Sequence, residues 1–111
     1  MMSPAGLGEF ELLVLLSILR QAQDPYANRV REDLETHAER RVTRGALYRT
    51  LDRLTEKGLV AWELEASEVP ARGGHPMRRI RVTPEGLAAA QRSREIMRTF
   101  FSGLDPLGDR P

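Results

Sequence analysis

Residues 42–60 read VTRGALYRTLDRLTEKGLV, and no other stretch constrains the fold as much. Leu47, Leu51 and Leu54 recur at helical spacing and cluster on one side of a 3.6-residue wheel, with Thr50 beside them. Thr43 suits the N-cap, and Gly58 suits the position just past the end, where helices often close in a left-handed residue. The pattern predicts an amphipathic helix over residues 43–57 with three leucines inward. Its opposite face carries Gly45, Arg49, Asp52 and Glu56, with Arg44 and Tyr48 along one border and Ala46 and Arg53 along the other. Two readings of that face stand. It is a surface of ordinary solvated charges, or it enters the DNA major groove by its N-terminal end. The second has chemistry behind it. Helix N-termini attract phosphate, arginine reads guanine through two hydrogen bonds, and Gly45 removes bulk where a backbone would approach DNA closely.

The neighbouring elements give this helix a setting. Residues 7–22 form a first helix on which Phe10, Leu13, Val14 and Ser17 make one stripe. Leu12, Leu15, Leu16 and Leu19 widen that stripe nearly all round, so the helix must be covered on two sides: either it is simply central in the core, or part of it also faces a partner subunit. Asp24 and Pro25 read as an N-cap and first-turn proline for a second helix over residues 26–39. Val30 and Leu34 face inward there, with Tyr26 or Ala27 one turn earlier. Residues 59–65 alternate loosely enough for a strand, and residues 77–82 alternate better, with Ile80 and Val82 in phase. The intervening ASEVPARGGHP is too long for a tight hairpin. Thr83, Pro84 and Glu85 supply a cap, a first-turn proline and an acid against the dipole for a last helix reaching residue 104. Residues 1–6 and 105–111 are rich in proline and glycine and are expected to be disordered. The fold expected is mainly α with a small β-hairpin: a winged helix-turn-helix over residues 7–83 followed by a last helix over 84–104.

With 111 residues the chain has room for one ordinary domain. A formal net charge of +1 supplies no overall field toward polyanions, so distribution matters more than total. From residue 40 to 57, Arg40, Arg41, Arg44, Arg49, Arg53 and Lys57 stand against Asp52 and Glu56. The hairpin adds Arg72, Arg78, Arg79 and Arg81 around Gly73 and Gly74. The first two helices hold Glu9, Glu11, Asp24, Glu32, Asp33, Glu35 and Glu39 against Arg20, Arg29 and Arg31. This polarisation, basic in the third helix and hairpin and acidic before them, fits a DNA-facing surface.

Other classes find little support. No cysteine is present, which removes disulfides, thiolate metal sites and cysteine nucleophiles, and His37 and His75 stand far apart, so no metal or cofactor is expected. There is no phosphate loop, nucleophile elbow or HExxH motif, and the chain is not expected to be an enzyme. The start, MMSPAGLGEFE, has no basic region before its apolar run, and the longest such run, residues 12–16, is far below the ~20 residues of a membrane span, so a cytoplasmic location is expected. The rival is a winged helix that serves as a protein-interaction module without binding DNA. The arginine cluster weighs against that, because such side chains are an odd choice for an interface core. Trp62 is expected to pack at the wing root, and His37 to be solvated.

Three stretches, GEFELLVLLSIL, VTRGALYRTLDRLTEKGLV and GGHPMRRIRVTPEG, together resemble the PadR-like family of bacterial transcriptional regulators. The middle one, with its Gly-x-Leu-Tyr, Arg-Leu and Lys-Gly-Leu, carries the resemblance most specifically. It implies a homodimeric winged-helix repressor that binds double-stranded DNA at a palindromic operator and is often released by a small molecule. By position, it implies a groove-reading set of Thr43, Arg44, Gly45, Ala46, Tyr48 and Arg49, with Arg53 behind them. The wing would contribute Arg72, Gly73, Gly74, His75 and Arg78, and Arg40 and Arg41 would join Arg44, Arg72 and Arg78 on phosphates. Members usually have proline after the tyrosine, where this chain has Arg49, and often an aromatic late in the second wing strand, where Ile80 and Arg81 stand. The resemblance also implies a C-terminal dimerisation region, here a single helix. Leu87, Ala90, Met97, Phe101 and Leu104 form its stripe, broadened by Ile96 and Phe100. The dimer interface is expected to join Phe10, Leu13 and Val14 of one copy with Leu87, Met97, Phe100, Phe101 and Leu104 of the other. Methionine and aromatics there would also suit a small apolar effector.

Overall fold

The computed structural model describes residues 6–21, 25–65 and 77–104. Apart from Gly6, the ends expected to be disordered lie outside the described residues, as do the expected cap Asp24 and the wing tip with Arg72, Gly73, Gly74 and His75. The elements follow in the order α1 (Glu9–Arg20), α2 (Ala27–His37), α3 (Arg44–Glu56), β1 (Val60–Glu65), β2 (Met77–Val82) and α4 (Pro84–Phe101). Four helices and one antiparallel hairpin make the expected winged helix-turn-helix, extended by a last helix.

α1 begins two residues later than expected, at a Gly8 N-cap whose N–H donates to Glu11 Oε1 at 2.9 Å. Glu11, Val14, Leu15, Ser17 and Ile18 are its buried residues. This corrects the expected interface. Val14 is 0% exposed within the chain's own core and has no surface left for a second copy. Phe10 and Leu13 are half-buried against that core, while the outward leucines are Leu16 and Leu19. A helix apolar nearly all round gives no phase in the sequence; burial of the Val14, Leu15 and Ile18 side is what decides it.

α2 departs from expectation at both ends. It starts at Ala27, with Tyr26 as N-cap, and Pro25 stands outside it. The reason is long-range pairing. Pro25 offers its carbonyl to the Ile80 N–H at 2.8 Å, and Tyr26 forms an antiparallel bridge with Arg79, so this dipeptide extends the wing sheet. At the other end Glu39 adopts φ 54°, a left-handed conformation that takes the chain out of the helix. Ala27, Val30 and Leu34 are its inward residues.

α3 is capped as expected. Thr43 Oγ1 accepts the Ala46 N–H at 3.1 Å, and Gly58, at φ 76°, releases the chain toward β1. Leu47, Leu51 and Leu54 are at most 1% exposed and meet Val30, Leu34, Val42 and Leu59 in the core. Two polar bonds hold the turn ahead of α3. Arg31 Nε donates to the Val42 carbonyl at 2.8 Å, and the Val42 N–H donates to Glu35 Oε2 at 3.1 Å. The angle between α2 and α3 is thus set by side chains of α2.

In the hairpin Val60 faces Val82, Trp62 faces Ile80 and Leu64 faces Arg78. Val60 and Ile80 are buried in the core, whereas Leu64, further out on the same face, is exposed. Thr83 closes the hairpin onto α4. Its N–H donates to the Leu59 carbonyl at 3.0 Å, its hydroxyl donates to the Gly58 carbonyl at 2.7 Å, and its oxygen accepts the Gly86 N–H at 3.0 Å. A Cβ on Gly86 would lie 2.0 Å from the Leu59 carbonyl oxygen, so only glycine lets α4 come this close. α4 then buries Gly86, Ala89 and Ala90 and runs on with Leu87, Ile96, Met97, Phe100 and Phe101 exposed, Phe100 by 74%; it ends at Phe101, short of the expected residue 104, and Leu104 is exposed beyond it.

Candidate nucleic-acid interface

The N-terminal half of α3 and the turn before it form one exposed edge. Arg41, Thr43, Arg44, Gly45 and Arg49 are exposed, with Ala46 and Tyr48 half-buried between them. The first turn of α3 holds no acid of its own, and the nearby Glu35 carboxylate is taken up by the Val42 N–H ahead of the cap. Among the described residues no salt bridge reaches Arg41, Arg44 or Arg49. Arg49 folds back over its own helix, with Nη1 3.5 Å from where a Gly45 Cβ would sit. The Thr43 oxygen is engaged as a cap acceptor, and its hydroxyl proton is free to donate.

A cleft of about 160 Å³ opens beside this edge, lined by Ala27, Asn28, Arg31, Arg44, Leu47 and Tyr48. Asn28 and Arg31 were not singled out from the sequence, because α2 reads there as the acidic part of the chain. The available signal was spacing: Asn28 and Arg31 are three residues apart, on one helix face.

The other basic residues are held differently. Arg40 lies over the Phe10 ring, 5.0 Å from its centroid, with Nη1 3.7 Å from Glu9 Oε1. Arg53 turns toward the body: Nε donates to Glu11 Oε2 at 3.3 Å and Nη2 to Thr50 Oγ1 at 3.0 Å. Lys57 reaches both oxygens of the same carboxylate, at 3.0 and 3.1 Å. Burial pushes the Glu11 carboxyl up, but the Gly8 N–H, Lys57 and Arg53 together outweigh burial and hold it below its ordinary range. Glu11 therefore stays ionised and ties the far end of α3 to α1.

Arg78 is the largest difference from expectation. Its guanidinium does not stand free for a phosphate: it lies 4.0 Å from the Trp62 ring centroid and 4.7 Å from that of Tyr48. Nη1 is 3.6 Å from Asp52 Oδ1, and the side chain is 20% exposed. Trp62, at the wing root as expected, is the platform under it. On the opposite face of the hairpin, Arg79 pairs with Glu65 at 3.5 Å, and Glu65 accepts the Tyr26 hydroxyl at 2.8 Å.

His37 is solvated as expected, with Nδ1 3.6 Å from Asp33 Oδ1. Asp33 also accepts from buried Ser17 at 2.7 Å and from Arg20 through both oxygens at 3.2 Å. Serine donates to the aspartate and not to the histidine, so this cluster ties α1 to α2 and lacks the relay of a hydrolytic triad. Among the described residues no group of histidines and acids could hold a metal, and no helix is long and apolar enough to cross a membrane.

A winged helix-turn-helix with one bare basic edge is the class that these elements define. Comparison with known proteins carries this to a family. The model of the transcriptional regulator PadR-like family matches residues 15–92, and the chain belongs to that family. It is thus a PadR-like transcriptional regulator by fold and family. Among solved structures it is similar to RosR of H. salinarum, with 27% identity over 91% of this chain and 83% of that one, TM-score 0.68. It is also similar to a PadR-like transcription factor from Bacteroides fragilis, with 20% identity over 89% of each chain and TM-score 0.71. A PadR family transcriptional regulator from Eggerthella lenta matches at 23% identity, over 93% of this chain and 88% of that one, TM-score 0.67. The last two likenesses concern fold alone. No curated protein matches the chain.

Proposed function

We propose that the protein is a sequence-specific regulator that binds double-stranded DNA as a homodimer, placing the N-terminal half of α3 in the major groove and the wing against the backbone. The observation that carries this reading is the edge of exposed Arg41, Thr43, Arg44, Gly45 and Arg49, with half-buried Tyr48, at a helix whose first turn holds no acid. Arg44 and Arg49 are the base readers, and Arg41 and the wing's Arg72 neutralise phosphate. The same reading takes the protein to be a cytoplasmic repressor of a palindromic operator, and membership of a family of transcriptional regulators supports it. Two copies of α3 would then stand about one helical turn of DNA apart, roughly 34 Å.

Dimerisation is supported by α4. Its second half carries Ile96, Met97, Phe100 and Phe101 beyond the body of the domain, all at least 40% exposed. Leu16 and Leu19 of α1 are a matching apolar face. Covering one with the other across a two-fold axis removes both from water. A small apolar effector entering that seam would compete with the same packing and release DNA.

Fluorescence-anisotropy titration tests the reading, using the duplex upstream of the protein's own gene beside a scrambled duplex at two salt concentrations. Tight, salt-sensitive binding that prefers the native duplex is expected, with Arg49→Ala relaxing the preference and Arg72→Ala weakening both duplexes alike. Salt-sensitive binding without preference would move the operator elsewhere in the genome. No binding to either duplex by folded protein would refute the DNA reading and favour a protein-interaction module.

A further inference from the structure

Arg78 presents a problem that a phosphate-binding role does not solve. Its Nη1 is shut from solvent and has no hydrogen-bond partner among the described residues. Asp52 Oδ1, at 3.6 Å, is beyond hydrogen-bond distance. A cation placed so is held by the faces of Trp62 and Tyr48 and by the nearby carboxylate charge. Drawing it out toward DNA would abandon both aromatic faces. The pleat supports the same view: Arg78 shares the inward face of β2 with Ile80 and Val82, and takes the place where an apolar residue would otherwise meet α3.

The partners also define a direction. Trp62 belongs to β1, whereas Tyr48 and Asp52 lie one turn apart on α3. A single guanidinium therefore spans the gap between the wing and the proposed recognition helix. Tyr48 sits directly behind Arg44 and Arg49 on that helix, and it lines the cleft that Arg44 also lines. Whatever fixes the Tyr48 ring fixes one wall of the cleft that Arg44 also lines.

We propose that Arg78 is a positioning residue: its guanidinium, over both the Trp62 and Tyr48 rings and beside Asp52, locks the wing to α3 and sets the orientation of the base-reading edge. This rests on the DNA-binding reading and assigns Arg78 a role inside it other than phosphate contact. Planarity is what the role requires. Lysine keeps the charge but is a compact, strongly hydrated ammonium that cannot stack a planar group over two rings at once.

Arg78→Lys and Arg78→Met are titrated by anisotropy against operator and scrambled duplex over a range of salt, with thermal midpoints recorded for each. Arg78→Lys should lose about tenfold in operator affinity, the scale of one base contact, with the wild-type salt slope retained. In a Tyr48→Leu background the same substitution should cause no further loss beyond about twofold, because the group it positions is gone. Wild-type preference in Arg78→Lys, with a salt slope lowered by about 0.9 per protomer in Arg78→Met, would make Arg78 a phosphate ligand and overturn the proposal. Additive losses in the double variant would overturn it too, showing a direct DNA contact. A lowered thermal midpoint with unchanged preference would reduce the stack to a fold-stabilising contact and equally overturn it. Failure of the wild-type protein to bind any duplex would overturn the underlying DNA reading itself, which separates that failure from the others.

Discussion

Replacing Glu11 with glutamine keeps the side chain's shape and removes its charge. The carboxylate side chain is 9% exposed and accepts hydrogen bonds from Lys57 Nζ, Arg53 Nε and the Gly8 N–H. A hydrogen bond to a charged group contributes about 1.5–3 kcal/mol when desolvated. Here the cations are 38% and 51% exposed, so water replaces much of what is lost. Discounting by roughly half leaves about 1.5 kcal/mol for Glu11→Gln. For a domain near this size that lowers the thermal midpoint by about 6–12 °C. The pH dependence has a definite sign. The folded carboxyl lies below its ordinary value of 4.5, so its contribution is complete above that pH and disappears as pH falls through the folded value. Thermal melts of both proteins at one concentration, followed by circular dichroism from neutral pH into acid, measure this. The gap between wild type and variant should be full at neutrality and close in acid. Equal midpoints at neutral pH, or a gap that persists unchanged after the wild-type carboxyl is protonated, would refute the assignment of Glu11 as an ionised tie between α1 and α3.

Three further outcomes are expected. Gly86→Ala forces a Cβ against the Leu59 carbonyl oxygen and should cost about 3 kcal/mol in denaturant unfolding, at the upper end of overpacking penalties. Met97→Glu, on the exposed half of α4, should shift the sedimentation coefficient from dimer to monomer while leaving the helical signal intact. Glu39→Gly relieves a non-glycine residue at φ 54° and should raise stability by about 1 kcal/mol in the same unfolding assay.

Local chemistry made some of this structure legible in the sequence and long-range contact hid the rest. α3 could be read almost residue by residue, because its cap, its leucine phase and its terminating glycine all lie within the segment. The start of α4 was legible for the same reason: Thr83, Pro84 and Glu85 are adjacent. α2 was misjudged at its start because Pro25 and Tyr26 pair with Ile80 and Arg79, more than fifty residues away. Val14 reads as an interface residue in the sequence because leucines surround α1 and periodicity cannot rank its faces. The outward pair, Leu16 and Leu19, became visible only when packing buried the other side. Arg78 is a mixed case. Its alternation with Ile80 and Val82 already points it inward, yet an arginine a few residues after a glycine pair reads as a wing contact until its guanidinium is found over the Trp62 and Tyr48 rings.

Mapping amide chemical shifts of the isotope-labelled protein on adding a duplex tests the central claim most directly, because it locates the contact surface without assuming which side chains matter. The account predicts perturbations concentrated at Arg41, Thr43, Arg44, Gly45, Tyr48 and Arg49 and in the wing, with the outer half of α4 unaffected. Perturbations centred on α4, or none at the N-terminal edge of α3 under conditions where the duplex binds, would contradict it.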